Sequence, residues 1–334
     1  MPTRQLVLDR LEQACGNFLS GEQLAQELKV SRAAIWKAVN QLKKEGYPIT
    51  AVTNRGYALD VRADILSEQG VRAALLPQYN QLPIRVYKEL ASTNLQAKQL
   101  ALKGAPNQLV VLCDQQTEGR GRYERPFVSP EGGIYMSVLL RPHPCIHEPV
   151  LLTIAAAVAV SEALEALCEE TICIKWVNDL YCKGKKICGI LTEAITDFES
   201  GAINEIVLGI GINYTTPSTA FSEELRSIAG SLYPNGNPPV SRVRVVAEIL
   251  NRLLPMWENL DQKQFLEKYR KRCYILGQEV VVLSAQESYP ARALDIDIHG
   301  RLVVELPDHT RQVLRNGEIS VHPTQLLAAD RGYE

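Results

Sequence analysis

Residues 20–46 read SGEQLAQELKVSRAAIWKAVNQLKKEG, and this stretch predicts two short helices on either side of a tight turn. Ser20 and Gln23 occupy the first and fourth positions of a capping box, and Ser31 caps the second helix. Gly46 is a natural residue to end that helix. Apolar residues recur at helical spacing in both halves, at Leu24, Ala25 and Leu28 and then at Ala34, Ile35, Ala38, Val39 and Leu42. The stretch therefore has the form of a helix-turn-helix.

The flanking residues extend this unit on both sides. Leu6, Leu8 and Leu11 give an apolar face to an earlier helix. On the other side, Asn54-Arg55-Gly56 lies between two strand-like runs, which is a hairpin signal. We therefore predict a winged helix-turn-helix domain over residues 1–62.

The outer face of the second motif helix and the hairpin carry side chains suited to phosphate and base-edge contact. These residues are Arg32, Ala33, Trp36, Lys37, Asn40 and Arg55. Residues 1–62 hold nine Lys and Arg against six Asp and Glu, which leaves an excess of three positive charges. We expect this domain to bind DNA, and a small helical module for protein contact is the alternative.

Composition bounds the class of protein. The 334 residues include 36 Lys and Arg against 38 Asp and Glu, and 46% are hydrophobic. These values are ordinary for two or three globular domains, and they exclude a disordered chain, a collagen or a disulfide miniprotein. The eight cysteines contain no Cys-x-x-Cys pair, so we expect reduced thiols and no metal site built by the protein. There is no secretion signal at the start, and the apolar run 151–160 is too short to span a membrane, which predicts a cytoplasmic protein with no membrane partner.

The rest of the chain falls into two parts with different patterns. Residues 63–272 alternate strands and helices, which predicts a mixed α/β domain. Strands are predicted at 84–87, 109–113, 133–140, 172–176, 180–182, 189–193 and 206–213, with helices at 95–102 and 151–167 and a closing helix pair over 243–260. Short strands at 278–283, 289–294, 302–306 and 312–314 predict a small β-barrel over residues 273–323. The expected fold class is multidomain α+β.

A loop rich in glycine and arginine follows one buried strand. Gly119 and Gly121 allow the backbone to approach a ligand, and Arg120, Arg122 and Arg125 favour phosphate or carboxylate. The glycine spacing matches neither a P-loop nor a dinucleotide-binding fingerprint. These residues alone support an anion site and a solvated basic loop equally.

A second cluster surrounds Lys186, which leads into an otherwise apolar strand. Because an unpaired buried charge is costly, an anionic ligand would explain this lysine. A hairpin turn with solvated lysines is the alternative, and it suits Lys183 and Lys185. Farther along, Gly209 and Gly211 lie inside a strand, where glycine indicates either the close approach of another group or simple packing.

Taken in order, these motifs resemble one family, the bifunctional biotin–protein ligases that are also biotin operon repressors. The resemblance covers nearly the whole chain. Its motifs are Ser20-Gly21-Glu22-Gln23-Leu24, Ser31-Arg32-Ala33-Ala34-Ile35, Ser92-Thr93-Asn94, Gly119-Arg120-Gly121-Arg122, Lys175-Trp176-x-Asn178-Asp179, Lys186-x-x-Gly189-Ile190-Leu191, Gly209-x-Gly211-Ile212-Asn213 and Gly317-Glu318-Ile319-Ser320. Each motif alone is weak, but their order and spacing together are specific.

The resemblance implies a central domain similar to class II aminoacyl-tRNA synthetases and an SH3-like barrel at the end. It implies a ligase that uses ATP and Mg²⁺ to form biotinyl-5′-AMP and transfers biotin to a lysine of the biotin carboxyl carrier protein of acetyl-CoA carboxylase. It also implies that the adenylate-bound protein forms a homodimer and binds operator DNA, so that ligand occupancy controls repression.

The resemblance also implies roles for individual residues. The implied biotin-binding residues are Ser92, Thr93, Asn94, Gln116, Arg120, Gly121, Arg122 and Lys186. The implied nucleotide-binding residues are Arg120, Arg122, Phe127, Lys175, Asn178 and Asn213, with Phe127 where the family places a tryptophan against adenine. The implied catalytic residues are Lys186, Arg122 and Asp179, since cations placed in advance stabilise negative charge that develops on the α-phosphate.

Two features depart from the family pattern. Tyr123 and Glu124 interrupt the glycine–arginine repeat, with Glu124 near a position where glycine is expected, and Val177 stands where proline is common. Two other functions stay open: a biotin-sensing regulator without ligase activity, and a lipoate or octanoyl ligase on a related scaffold. The polar residues implied for the ureido group argue against a plain fatty acyl substrate.

Overall fold

The computed structural model describes residues 3–14, 16–44, 47–60, 64–141, 149–196, 203–283, 288–314 and 320–323. Its first elements are helices α1 (Thr3–Gln13), α2 (Gly21–Leu28) and α3 (Arg32–Lys44), followed by strands β1 (Ile49–Val52) and β2 (Gly56–Leu59). The two strands pair antiparallel as a hairpin. The predicted winged helix-turn-helix is therefore confirmed.

Local hydrogen bonds explain where its helices begin. Ser20 Oγ accepts a hydrogen bond from Gln23 N at 2.9 Å, and Ser31 Oγ accepts one from Ala34 N at 3.2 Å. Lys29 adopts left-handed backbone angles (φ 53°) at the turn between α2 and α3. The three helices share one apolar core, which includes Val7, Leu8, Leu11, Leu24, Ile35, Val39 and Leu42. The predicted helix end at Gly46 lies outside the described residues.

A seven-stranded sheet forms the centre of the protein. Its strands are β3 (Ile84–Leu90), β4 (Leu109–Gln116), β5 (Ile134–Leu140), β6 (Cys173–Lys175), β7 (Asp179–Cys182), β8 (Lys185–Thr196) and β9 (Ile203–Ile212). Their spatial order is β3-β4-β5-β9-β8-β7-β6, in which β3 and β4 are parallel and the other neighbours are antiparallel. The accompanying helices are α4 (Glu68–Ala74), α5 (Thr93–Leu102), α6 (Pro149–Cys168), α7 (Glu223–Arg226), α8 (Arg242–Glu258) and α9 (Phe265–Arg272). The mixed α/β architecture is confirmed.

Different helices cover the two faces of this sheet. Val111 and Leu139 belong to the core under α5, whereas the alternate residue Val110 belongs to the larger core that contains α6 and α8. Strand β4 is therefore buried on both faces, as its continuous apolar run predicts. Because β3 and β4 are parallel, their carboxyl ends meet at one edge of the sheet, where α5 begins.

Helix α6 is long and apolar enough, by length and composition, to cross a membrane, and it is the one such helix in the described part of the chain. However, 14 of its 20 residues are buried inside the protein. Ile154 and Val158 of α6 share a core with Leu250 of α8 and with the sheet. The helix is therefore the central core element of this domain.

The predicted helix pair over 243–260 is wrong, since α8 is one continuous helix that contains Pro255. Val246, Leu250 and Leu253 form an unbroken buried stripe along it. A proline inside a helix costs about 3 kcal/mol, and burial of this stripe offsets that cost. The second helix is α9, which begins later along the chain.

The last part of the chain is an antiparallel sheet of five strands: β10 (Glu279–Leu283), β11 (Ser288–Ile296), β12 (Leu302–Glu305), β13 (Arg311–Leu314) and β14 (Ser320–Pro323). Their order is β13-β12-β11-β10-β14, which agrees with the predicted SH3-like domain. Val280, Val282 and Val304 join the same core as α6 and the central sheet. Gly317, Glu318 and Ile319 of the predicted closing motif lie outside the described residues. The domain boundaries at residues 62 and 272 stay predictions.

Candidate functional site

The edge where β3 and β4 end holds the first group of predicted site residues. Ser92 is the N-cap of α5, and Thr93 is its first residue. Gln116 Oε1 accepts hydrogen bonds from Thr93 N at 2.8 Å and from Thr93 Oγ1 at 3.1 Å. Gln116 Nε2 donates to Ser129 Oγ at 2.9 Å. The structure thus brings Ser92, Thr93 and Gln116 together and fixes the orientation of the Gln116 amide.

Asn94 is the second residue of α5, and its side-chain amide forms hydrogen bonds with other side chains of the protein. Asn94 Nδ2 donates to Glu193 Oε2 at 2.7 Å, and Asn94 Oδ1 lies 2.6 Å from Ser137 Oγ, from which it accepts a hydrogen bond. Gly209 leaves room for this amide, because a Cβ at residue 209 would overlap it. These contacts give Asn94 a role in holding the start of α5, and its direct contact with biotin stays a prediction.

Sequence reasoning missed the residues that support this group. Ser137 is fully buried, and Glu193 also pairs with Lys98, whose Nζ lies 2.6 Å from Glu193 Oε1. A signal for Ser137 was present, because it is the one polar residue in the strand Ile134–Leu140. For Ser129 and Glu193 the sequence offered no comparable signal, because their partners are distant in the chain.

The glycine–arginine loop runs from β4 to β5. Phe127 N donates to Gly119 O at 2.8 Å, and Gly121 N donates to Arg125 O at 2.8 Å. Backbone hydrogen bonds within the loop therefore hold its two sides together. Tyr123 and Glu124, which replace the expected glycine pattern, both have positive φ angles of 57° and 56°. The loop therefore keeps a backbone shape that favours glycine at two residues that are not glycine.

The arginines of this loop differ in their surroundings. Arg122 Nη1 donates to Asn178 Oδ1 at 3.1 Å and its guanidinium also lies over the Tyr123 ring. Arg120 is exposed and donates to Glu124 Oε2 at 3.1 Å. Arg122 is therefore the loop arginine that the structure links to the Lys175–Asp179 motif.

Lys186 lies beside the same motif. Its Nζ is 2.7 Å from Asp179 Oδ1, and both side chains are largely buried. In contrast, Lys183 pairs with Glu170 on the surface, and Lys185 Nζ donates to Ser227 O at 2.8 Å. Consecutive residues Asn178 and Asp179 thus hold Arg122 and Lys186.

Lys175 adds a third cation to this region. It pairs across strands β6 and β7 with Asp179, which faces both lysines. Burial lowers the pKa of Lys175, the Asp179 carboxylate raises it, and the charge of Lys186 lowers it further. Lys175, Lys186 and Asp179 together carry two positive charges and one negative charge, which suits an anionic group.

Phe127 covers a pair of glycines next to Lys186. Gly189 and Gly211 are register partners on β8 and β9. A Cβ on Gly211 would lie 2.6 Å from Phe127 Cε1, and one on Gly189 would lie 3.2 Å from Phe127 Cε2 and 3.7 Å from Lys186 Cε. The glycines therefore form a flat floor on which an aromatic or apolar group rests. Stacking of Phe127 on adenine stays a prediction.

Asn213 follows β9 and is buried. Its Nδ2 donates to Gly230 O at 3.0 Å, whereas its Oδ1 is buried without a hydrogen-bond partner among the described residues. An unsatisfied buried acceptor is costly, and the contact of Asn213 with the nucleotide stays a prediction. A cleft of about 420 Å³ is lined by Gln116, Gly119 and Phe127, among other residues.

The predicted DNA-contact residues lie on α3 and, for Arg55, in the β1–β2 hairpin. Arg32, Ala33 and Lys37 are exposed on α3, Asn40 is half-buried, and Trp36 is 61% exposed although it is a large aromatic residue. In the hairpin, the Arg55 guanidinium lies 4.5 Å from the centre of the Phe18 ring. An exposed face with two cations and an exposed tryptophan side chain suits nucleic acid.

Comparisons with known families cover most of the chain. Residues 86–213 match the Biotin/lipoate A/B protein ligase family, residues 3–58 match an HTH domain, and residues 275–321 match the Biotin protein ligase C terminal domain. The three matches follow the order of the winged helix, the central sheet and the last five strands.

Individual proteins match over nearly their full length. The chain is 33% identical to the bifunctional ligase/repressor BirA of Bacillus subtilis (strain 168), over 93% of this chain and 96% of that protein. It is 26% identical to the BirA of Escherichia coli (strain K12), over 93% and 95%. Among solved structures, the biotin protein ligase from Aquifex aeolicus in complex with biotin and ATP aligns with a TM-score of 0.63 and 28% identity, covering 72% of this chain and 99% of that one.

Proposed function

The chain belongs to the family of bifunctional biotin–protein ligases and biotin operon repressors, and on that premise we propose how its residues act. It activates biotin with ATP to form biotinyl-5′-AMP and transfers the biotin to a lysine of the biotin carboxyl carrier protein of acetyl-CoA carboxylase. It also represses transcription of the biotin biosynthesis operon. We propose a cytoplasmic location, because the carrier protein and the operator DNA are both in that compartment.

Adenylation forms one bond and breaks another. A carboxylate oxygen of biotin attacks the α-phosphorus of ATP, the bond from that phosphorus to the bridging oxygen breaks, and pyrophosphate leaves. Negative charge grows on the α-phosphate oxygens during this step. We assign its stabilisation to Lys186 and Arg122, because cations held in place before the reaction need no reorganisation.

The observation that supports this assignment is that consecutive residues hold both cations. Asn178 accepts from Arg122, and Asp179 pairs with Lys186. The Phe127 ring lies on the glycine floor beside Lys186 and offers an apolar wall, and the start of α5 with Gln116 offers polar groups for the ureido ring. Biotin therefore fits with its carboxylate toward the cations and its ring toward Thr93.

The second half-reaction transfers the acyl group. The lysine amine of the carrier attacks the carbonyl carbon of the mixed anhydride, an amide bond forms, AMP leaves, and the amine loses a proton. We propose Asp179 for orienting this amine. We propose that Mg²⁺ enters as its complex with the ATP phosphates.

Mass spectrometry tests the ligase directly. The full chain is incubated with biotin, Mg-ATP and the biotin carboxyl carrier domain, and we expect a gain of one biotinyl group on one carrier lysine, with pyrophosphate released. A chain that binds biotin but gives neither product would indicate the regulator without ligase activity. Calorimetry with biotin against lipoate separates the third alternative, since tighter binding of lipoate would contradict a biotin ligase.

Repression is tested by an electrophoretic shift on DNA from upstream of the biotin biosynthesis genes. We propose that the adenylate-bound chain forms a homodimer and binds a palindromic operator through α3 and the β1–β2 hairpin. DNA affinity should rise when biotin and ATP are added together. Binding that ignores both ligands would contradict a ligand-controlled repressor.

A further inference from the structure

The segment Lys175–Asp179 is held by two side-chain hydrogen bonds that tie it to the carboxyl-terminal part of the fold. Tyr269 Oη on α9 donates to Val177 O at 3.0 Å. Trp176 Nε1 donates to Gly300 O at 3.0 Å, and Gly300 lies in the turn between β11 and β12. Both hydrogen bonds are buried. The adjacent residues Trp176 and Val177 are thus held by α9 and the β11–β12 turn, which lie outside the seven-stranded sheet.

The anchor on each side is itself rigid. Tyr269 is fully buried among the core residues of α9. Asp297 Oδ1 accepts hydrogen bonds from His299 N and Arg301 N, both at 2.9 Å, and this fixes the turn that carries Gly300. Gly300 also lies against Ile154 of α6, where a Cβ would contact the Ile154 side chain. A movement of the segment would therefore disturb two well-packed elements.

The segment Lys175–Asp179 carries the residues that contact the proposed catalytic cations, Arg122 and Lys186. Asn178, which follows Val177 directly, accepts from Arg122, and its backbone O accepts from Ile190 N at 2.9 Å. Asp179 pairs with Lys186. A shift of the Val177 carbonyl would consequently move both partners of the catalytic cations.

The hydroxyl of Tyr269 keeps its proton. Burial raises the pKa of Tyr269 well above its usual range, while the Asp179 and Arg122 charges act on it with opposite signs. The protonated hydroxyl donates to Val177 O throughout the range of pH in which enzymes are usually assayed.

We propose that Tyr269 and Trp176 are positioning residues for adenylation, because they fix the main chain that places the partners of Arg122 and Lys186. The proposal rests on the proposed ligase function. The described side-chain hydrogen bonds of Tyr269 and Trp176 go to Val177 O and Gly300 O, so their loss should alter the placement of the cation partners more than the binding of biotin. Misplacement of catalytic groups by about 1 Å is able to cost 100-fold in rate.

The test compares Tyr269→Phe with Tyr274→Phe in the full chain. Both substitutions remove one buried tyrosine hydroxyl from neighbouring parts of the fold, but the Tyr274 hydroxyl has no hydrogen-bond partner among the described residues. Pyrophosphate release is measured at 25 °C with varied biotin and varied Mg-ATP. For Tyr269→Phe we expect kcat to fall about tenfold with KM for both substrates nearly unchanged. For Tyr274→Phe we expect the kinetics of the unaltered chain.

A second variant, Trp176→Phe, removes the other hydrogen bond. Because both side chains hold the same short segment, the double variant should lose less than the product of the two single losses. Circular dichroism and calorimetric melting of each variant establish that it is folded at the assay temperature.

Three results would overturn the proposal while the ligase function stood: kcat of Tyr269→Phe equal to that of the unaltered chain, an equal loss in Tyr274→Phe, or a rise in KM as large as the fall in kcat. An unaltered chain that releases no pyrophosphate would overturn the ligase function itself, and the positioning roles with it.

Discussion

Lys186 Nζ lies 2.7 Å from Asp179 Oδ1, so the cation that we propose for catalysis has a carboxylate partner before any substrate arrives. Asp179 faces Lys175 as well, which leaves one carboxylate between two ammonium groups. When an anionic substrate enters, it meets a positive excess that Asp179 only partly neutralises. The ion pair thus orients Lys186 and limits the cost of burying it.

Lys186→Ala should abolish most adenylation while the fold stays intact. Loss of one preplaced group that stabilises developing charge lowers kcat by about 100-fold or more. Pyrophosphate release measures the effect, and the matched control is Lys185→Ala, since the adjacent Lys185 donates to backbone carbonyls at the surface. Turnover near that of the unaltered chain in Lys186→Ala would contradict the assigned role.

The pH dependence of ATP use should report on Lys175. Burial lowers its pKa below the ordinary lysine value, so Lys175 loses its charge at lower pH than a solvated lysine does. If this charge binds the nucleotide, KM for ATP rises as the pH increases toward 10. In Lys175→Arg the guanidinium stays charged throughout that range, and KM should stay level. KM for ATP is measured for both proteins between about pH 7 and about pH 10, a range that approaches the ordinary lysine pKa of about 10.4. Parallel pH profiles would exclude Lys175 from nucleotide binding.

Glu124 occupies a backbone position that glycine adopts more easily (φ 56°). Glu124→Gly should remove local strain of about 1 kcal/mol and raise the melting temperature. Glu124→Gln retains the same backbone and removes only an exposed charge, so its melting temperature should not change. Both variants remove the Glu124 carboxylate from Arg120, which leaves Arg120 only its longer ion pair with Glu118 at 3.9 Å among the described residues, and both should slow release of biotinyl-5′-AMP. Scanning calorimetry and adenylate release separate the two effects, and equal melting temperatures would argue against strain at this position.

Local signals predicted the elements, whereas the supporting contacts depend on the assembled fold. The capping serines and the helical spacing of apolar residues located α2 and α3, and the glycine–arginine loop was placed correctly after a buried strand. The predicted division of residues 243–260 into two helices was wrong, because α8 continues through Pro255 along the stripe of apolar residues that it buries.

For the site, the motifs identified the residues but not their partners. Tyr269 lies 92 positions from Val177, and Trp176 lies 124 positions from Gly300. Hydrogen bonds between such distant positions follow from how helices and sheets pack, and no spacing rule in a single sequence encodes them. The left-handed backbone of Tyr123 was equally hidden, because residues of its type rarely adopt it.

Gly209 should tolerate no side chain. A Cβ there would overlap the buried Asn94 amide, and overpacking of this kind costs about 1–3 kcal/mol. Gly209→Ala should therefore lower the free energy of unfolding and weaken biotin binding, since Asn94 holds the start of α5. Gly21→Ala is the control, because a Cβ at residue 21 meets only ordinary contact at 3.4 Å from Tyr57. Urea unfolding and calorimetry with biotin measure both effects, and equal behaviour of the two variants would remove Asn94 from the biotin site.

The salt dependence of DNA binding should identify the phosphate contacts of α3. Lys37 is exposed on the proposed DNA face, whereas Lys103 is exposed at the end of α5, in another domain. Each phosphate contact contributes about 0.9 to the slope of log affinity against log salt. Lys37→Ala should therefore reduce the slope by about one contact, and Lys103→Ala, which removes the same charge, should leave it unchanged. Shifts on DNA from upstream of the biotin biosynthesis genes, in the presence of biotin and Mg-ATP at several salt concentrations, give the slopes. If both variants lowered the slope equally, only net charge would matter; if neither did, α3 would not contact phosphate through Lys37.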